Sequence, residues 1–408
     1  NSSSTYQWYD YDNKKWANAV LVTSTNRSKY QSASAGTSIT ESDILAYYVW
    51  IPRYKYKVWN INKVIGTDSY NARTKGIDIV FEKGREFTGT ISCTYSYAAP
   101  SSSANSPNER CTGSNGDYYT HPAFTFGNDN IRGFWIGKFE LTGDSSKLTV
   151  LPNQSSFTSG TVNYLNTAIQ NMQKSSNIYG LNTSRTNTDS HMITNMEWGA
   201  VAYLTNSKYG RCTNGSCTEV TTNNCSSYIT GIGADSVSAS YSSSTCTKAV
   251  NKYDGSKGLL ASTTGNINGI YDMSGGNDEF VMGNMSDASG SYTFYPSNSG
   301  FTSNWYIAST SKYVIPYAYD SRNCSNQTAY NRGRLGDATG EVVLSTGGSG
   351  GGWYSDHAHF LCSTVSWFTR GGYIMSGSGS GLFEFSSSSG SGEGIGISSR
   401  SILIAFSI

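Results

Sequence analysis

The fifteen residues Ala46 to Asn60, AYYVWIPRYKYKVWN, constrain the fold more than any other stretch of the chain. Aromatic and β-branched side chains dominate them, and these lose rotamer freedom against a helical turn but pack well on a pleated surface. Pro52 blocks helix propagation, because its ring fixes φ and removes a backbone donor. Two strand segments bent at Pro52 are therefore expected. Strands with this much apolar surface need covering elements, so a domain is expected to start here.

The composition agrees. Of 408 residues only 14% are charged, while Tyr (30) and Trp (9) are abundant and Ser, Thr, Asn and Gly fill the intervening segments. That mixture favours strands and long polar loops. With 29 Lys+Arg against 28 Asp+Glu and no basic block, a phosphate-tracking nucleic-acid role is not expected. Eight cysteines lie mostly in Ser/Thr/Asn-rich loops, which suits disulfides in an oxidising compartment. Chain neighbours are the economical pairing: Cys93 with Cys111, Cys212 with Cys217, Cys225 with Cys246, and Cys324 with Cys362. No clustered C-x-x-C or H-x-x-x-H spacing points to zinc. There is no run of eighteen apolar residues and the first residues are polar, so membrane contact is expected only through an anchor that has been removed or lies outside this sequence. A secreted or cell-surface protein follows as the expectation.

Residues 1–45 read as a stalk or lead-in hairpin with one strand in NAVLVT, and residues 46–408 as the domain proper. GIDIVFEKG and GFWIGKFELTG are two further strands, with a Ser/Asn/Pro loop from Cys93 to Tyr118 between them. Leu165, Ile169 and Met172 recur at helical spacing in TVNYLNTAIQNMQKSSNIYG, a helix ending before Gly180. A second helix, TNMEWGAVAYLTNSKYG, opens on the Thr194/Glu197 spacing of a capping box and ends by Gly210; its Met196, Ala200, Val201 and Leu204 are expected in the core. Long cysteine-, serine- and glycine-rich loops follow, and strand-like sequence returns at WYSDHAHFLCSTVSWFTRGGYIM. The expected class is α+β, with small antiparallel sheets, two helices and long loops.

Four segments, in order, resemble the formylglycine-generating-enzyme-like (sulfatase-modifying-factor-like) branch of the C-type lectin fold. They are FWIGKFELT at Phe134–Thr142, MITNMEWGAVAYL, GIYDMSGGNDEFV at Gly269–Val281, and WFTRGGYIM with SSRSILIAF near the C-terminus. The resemblance runs from about Tyr48 onward, interrupted by insertions. The oxidase members of that family carry a reactive cysteine pair shortly after the Arg-Gly-Gly strand, whereas here Arg370 to Arg400 holds no cysteine. A copper-thiolate site needs two sulfurs at one position, so the oxidase activity is the least favoured reading. Cys362, upstream, reads as half of a disulfide.

Other chemistry is sparse. His357 and His359 form an H-x-H on an expected strand, so both rings would share a face able to chelate a metal; a polar strand edge is the preferred reading. Asp272 and Glu279 belong to the fold motif, where they would make structural hydrogen bonds or hold a structural calcium. No nucleophile elbow or metalloprotease motif is present. No enzyme activity and no cofactor are expected.

From Ser376 to Ser399, seventeen of twenty-four residues are serine or glycine. In the resembled fold this segment lies on the ligand-facing surface. The same fold displays the variable proteins of diversity-generating retroelements, in which mutated asparagine codons yield serine, glycine, isoleucine and tyrosine. Tyr373, Ile374, Ser376, Gly377, Ser378, Ser386, Ser387, Ser388, Ser389, Ser391, Ile395 and Ile397 fit that set. Arg370, Gly371, Gly372, Leu382, Phe383, Phe385, Arg400, Ile402 and Leu403 read as a fixed frame, with Glu384 alternating toward solvent. Met375, Glu384 and Glu393 need lysine codons instead. A long tolerant loop is the competing reading. Serine and glycine give little contact area, so Trp353, Tyr354, Trp367 and Tyr373 would supply the aromatic contacts. The expected function is non-enzymatic ligand binding or adhesion, with a protein or glycan on another cell or surface as partner. The alternative is a structural subunit of an extracellular pilus or filament, pairing with copies of itself.

Overall fold

The computed structural model describes residues 8–95, 109–158, 160–182, 187–224, 228–241, 248–286, 298–301, 312–319, 330–392 and 396–406. Ten strands build two five-stranded sheets. In chain order these are β1 (Asn18–Val22), β2 (Ile44–Pro52), β3 (Gly133–Gly137), β4 (Asn187–Met192), β5 (Asp278–Met285), β6 (Ile315–Tyr317), β7 (Trp367–Gly371), β8 (Gly381–Ser388), β9 (Ile397–Ser398) and β10 (Ser401–Phe406). The first sheet has the order β1-β2-β3-β10-β4, antiparallel throughout. The second has the order β6-β5-β7-β8, with β9 also on β5. Its β5 pairs are parallel with β6 and β9 and antiparallel with β7, and β7 is antiparallel with β8. The molecule is thus mixed α and β, with mostly small antiparallel sheets and few helices.

The bend at Pro52 moves the chain from one sheet to another. β2 ends at Pro52, and Tyr54–Lys57 becomes the centre of a separate three-stranded antiparallel sheet between Ile79–Phe81 and Tyr118–Thr120. Proline has no N–H to give a ladder. Arg53, buried at the corner, instead donates its amide to Arg132 O (2.9 Å) and places its Nε 2.9 Å from Glu82 Oε2.

The lead-in segment does not stand apart from the domain. Trp16 is fully buried and donates Nε1–H to Tyr209 O at 2.8 Å, while β1 pairs with β2 from Asn18↔Val49 onward. Between them lies a helix that the sequence did not announce, α1 (Ser24–Gln31), capped by Thr23 and with no buried residue. The two expected helices are α2 (Val162–Asn171), capped by Thr161, and α3 (Asn195–Thr205). The capping box forms: Thr194 Oγ1 accepts from Glu197 N, and the Glu197 carboxylate accepts from Thr194 N. α3 is buried on every side, not only at Met196, Ala200, Val201 and Leu204. A Cβ on Gly199 would lie 2.0 Å from Gly336 O, so only glycine allows that approach.

Cys93–Cys111 and Cys212–Cys217 are disulfides, the first joining a hairpin of Ser92–Tyr95 and Glu109–Thr112 inside what was expected to be a plain loop. Cys362 is also disulfide-bonded, while Cys225, Cys246 and Cys324 lie outside the described residues. Disulfides fit an oxidising, extracellular compartment. Among the described residues no helix is long and apolar enough to cross a membrane.

The two sheets are tied by a buried ion pair. Glu279, on β5, accepts Arg400 Nε at 3.1 Å and Nη2 at 2.5 Å, and Arg400 Nη1 donates to Gly137 O at 2.9 Å. Asp272 sits at φ 62° and its Oδ1 accepts from Asn223 Nδ2 and Gly231 N, both at 2.7 Å. Both carboxylates thus make the structural hydrogen bonds expected of them.

Candidate functional site: a polar cleft over the Ser/Gly tract

β7 ends at Gly371, and Gly371 and Gly372 take φ of +86° and +71°, turning the chain into the serine-glycine tract. A Cβ on Gly372 would come within 2.9 Å of Ser380 Cα. The tract is held rather than slack. Ile374 N donates to Gly276 O (3.2 Å), Tyr373 N to Ser376 Oγ (3.2 Å), and Ser380 Oγ to Tyr373 O (3.3 Å). Residues 381–388 then form β8, in register as Arg370↔Phe385, Thr369↔Ser386, Phe368↔Ser387 and Trp367↔Ser388. Ser386, Ser387 and Ser388 are strand residues, half-buried like Ser389 and Ser391, whose hydroxyls lie 3.1 Å apart.

The expected frame is buried as a set: Arg370, Gly371, Gly372, Leu382, Phe383, Phe385, Arg400, Ile402 and Leu403. Phe383 packs edge-on to Trp353 (4.9 Å between centroids) and Phe385 faces Tyr330 (6.0 Å). Each buried phenylalanine contributes about 2–3 kcal/mol by removing its ring from water.

On the other face of β8, Glu384 and Ser386 look into a cleft of about 610 Å3, walled by Tyr373, Ser376 and Ser378 on one side and by Ser355 and His357 on the other, with Asp278 from β5. The size suits a small ligand or one side chain of a larger one. Four expected positions, Tyr373, Ser376, Ser378 and Ser386, therefore come together. Tyr373 is 39% exposed and forms the outer rim.

Several expectations need correction. Trp353 and Trp367 are fully buried, Trp353 against Trp59 and Phe383 and Trp367 stacked on Phe301, so neither ring meets a ligand. Ile374 is buried as well, and Tyr354 is half-buried with its hydroxyl held 2.7 Å from Asn206 Oδ1. Ile397 sits in β9 beside Asp278, away from the cleft lining, and Ile395 lies outside the described residues. Glu384 does not reach open solvent. It is 2% exposed: residues from 349–357 wall the cleft that it lines, and 357–359 runs along the edge of β8, with His359 N donating to Phe385 O and Phe385 N to His357 O.

The H-x-H pair falls on no strand, contrary to expectation: His357 and His359 flank Ala358, which makes an isolated bridge to Phe385, and their rings meet edge to face at 4.2 Å. Burial, then the neighbouring His359, lowers His357 to about 4, so it is a neutral imidazole on the cleft wall at physiological pH.

The electrostatics are acidic. Burial raises Asp278 to about 7. Burial and then the Asp278 charge push Glu384 well above the carboxylate range. Asp356 behind the wall is raised in the same way, by burial and then Glu219. A Cβ on Gly381 would strike Asp356 Oδ1 at 2.1 Å, which fixes glycine at the start of β8. Among the described residues no lysine or arginine lines the cleft. A second cavity, of about 240 Å3 beside Phe126, Lys312 and Glu197, contains none of the expected positions. No protein-family model matches the chain, and no curated protein matches it.

Proposed function

We propose that the protein is a non-enzymatic extracellular binding or adhesion protein of C-type lectin-like fold, which recognises a protein or glycan on another cell or surface through its C-terminal face. The observation that carries this reading is the convergence of Tyr373, Ser376, Ser378 and Ser386 on one open polar cleft above a fully buried frame. The ordered segments from Phe134 to Phe406 support the fold assignment. The division of labour along the tract supports display, because half-buried serines can change without disturbing Phe383, Phe385 or Arg370.

Glycan, protein and intact-cell arrays probed with the full chain and with Tyr373→Ala provide the test. Removing a rim aromatic from a binding face weakens binding about 5- to 30-fold. Array binding that is unchanged by Tyr373→Ala and by a bulky Ser386→Arg would remove the cleft from the reading.

A further inference from the structure

We infer that the floor of this cleft is a subsite for one basic side chain of a protein ligand, a lysine ammonium or an arginine guanidinium, seated against the Glu384 and Asp278 carboxylates. The inference rests on the ligand-binding reading above and specifies what the site selects.

Glu384 is the deciding group. Its side chain lines the cleft and is 2% exposed, and its Oε2, itself shielded from solvent, has no hydrogen-bond partner, so a cation must part the cleft wall slightly to meet it. A buried carboxylate oxygen left unpaired costs stability unless something supplies a donor. The buried guanidinium nearby does not. Arg370 is in register with Phe385, so it projects from the opposite face of the sheet, and its Nη atoms donate to Asn195 Oδ1, Asp337 O and Ala338 O. The remaining polar walls, from Tyr373, His357 and the serines, carry no positive charge at neutral pH. The cleft presents oxygen acceptors and two acidic groups whose charged form a cation would favour, with a tyrosine ring at its rim where a cation can also rest. A lysine or arginine carries its charge on a flexible stem of three or four carbons that can follow the cleft wall to a buried carboxylate, whereas the amino group of an amino sugar is attached directly to its ring. A protein ligand is therefore favoured over an amino sugar.

Charge linkage gives the inference a second readout. The groups on the side of Glu384 are Asp278 from β5, Asp356 and His357 from the neighbouring segment and Tyr373 from the tract, with Glu219 behind Asp356 and Tyr228 beside Asp278, while Arg370 on β7 acts on it as a charge from the opposite face and holds its pKa down in part. Asp278, near 7, is partly protonated at neutral pH. A bound cation favours the ionised form, so binding releases protons and tightens as pH rises from 6 to 8. His357 stays neutral over that range and does not oppose the change.

The test titrates the full chain with Nα-acetyl-lysine methylamide and Nα-acetyl-arginine methylamide, with Nε-acetylated lysine and glucosamine as controls. Saturable binding of either basic probe is expected. It should weaken tenfold or more in Glu384→Gln and in Asp278→Asn, and strengthen between pH 6 and pH 8. Both variants are near-isosteric, and an unchanged melting temperature shows that they fold. The inference is overturned by equal binding of acetylated lysine, by preference for glucosamine, by absence of saturable binding, or by full affinity in both folded variants. Array binding that is lost in Tyr373→Ala but indifferent to Glu384→Gln and to the basic probes would refute the cation subsite and leave the ligand-binding reading standing.

Discussion

Replacing Arg400 with methionine keeps most of the side chain's length and removes its charge. Arg400 and Glu279 are both fully buried, and Asp272 and Glu140 feel the same guanidinium. Removing one partner of a buried pair leaves an uncompensated charge, a loss of about 3–5 kcal/mol, and the missing bond to Gly137 O adds about 1 kcal/mol. Arg400→Met is thus expected to lower stability by about 4–6 kcal/mol at pH 8. The pH dependence has a definite sign. Burial raises Glu279 from 4.5 to about 7 even though Arg400 opposes the shift. A carboxyl raised on folding contributes stability that is fully present below its unfolded value and is lost as pH rises through the folded one. At pH 5 Glu279 is already neutral and the missing cation matters less, so the loss should shrink markedly between pH 8 and pH 5. Urea unfolding followed by tryptophan fluorescence, with disulfides intact, measures both. A Glu279→Gln/Arg400→Met double variant should recover about 2 kcal/mol or more relative to the sum of the single changes. A loss below about 1 kcal/mol at pH 8, or a larger loss at pH 5, would refute the assignment of this pair as the tie between the sheets.

Two further predictions concern stability. Cys93–Cys111 closes a loop of 18 residues and Cys212–Cys217 one of 5, so serine pairs at these positions should cost about 3 and about 2 kcal/mol, compared in parallel melts. His191, fully buried, places its ring nitrogens 2.8 Å from Asp189 Oδ1 and 3.0 Å from Glu197 Oε1. Burial lowers its pKa, but the Glu197 charge and the Asp189 hydrogen bond outweigh this and hold it at about 9. Its contribution is full below 6.5 and lost as pH rises through 9, so His191→Asn should destabilise strongly at pH 6 and much less at pH 10 in the same melts.

What was legible in the sequence follows the range of the forces involved. The Pro52 bend, the Thr194 capping box and the burial of Phe383 and Phe385 are short-range consequences of backbone chemistry and strand alternation, and each appears where expected. α1 escaped notice because STNRSKYQ has no apolar periodicity and buries nothing. The fate of Glu384 was not readable either. Alternation assigns it to the face opposite Phe383, but only the return of residues 349–357 decides whether that face meets water or a wall. Trp353 and Trp367 were expected among the contact aromatics from their place in the chain, yet large rings with packed partners on all sides belong to the core. The cleft is therefore half visible in the sequence, through its serines and Tyr373, and half hidden in its acids.

β10 lies between β3 and β4 at the heart of the first sheet, while β8, at the edge of the second, is registered residue by residue on β7. The chain between Ser388 and Ser401 is consequently pinned at both abutments, with a further hold where β9 meets β5. Exchanging one small polar residue for another leaves both abutments seated, whereas a one-residue slip of β10 would turn its alternating side chains to the opposite face. A change of residue type along this tract is therefore borne more easily than a slip in the register of its ends.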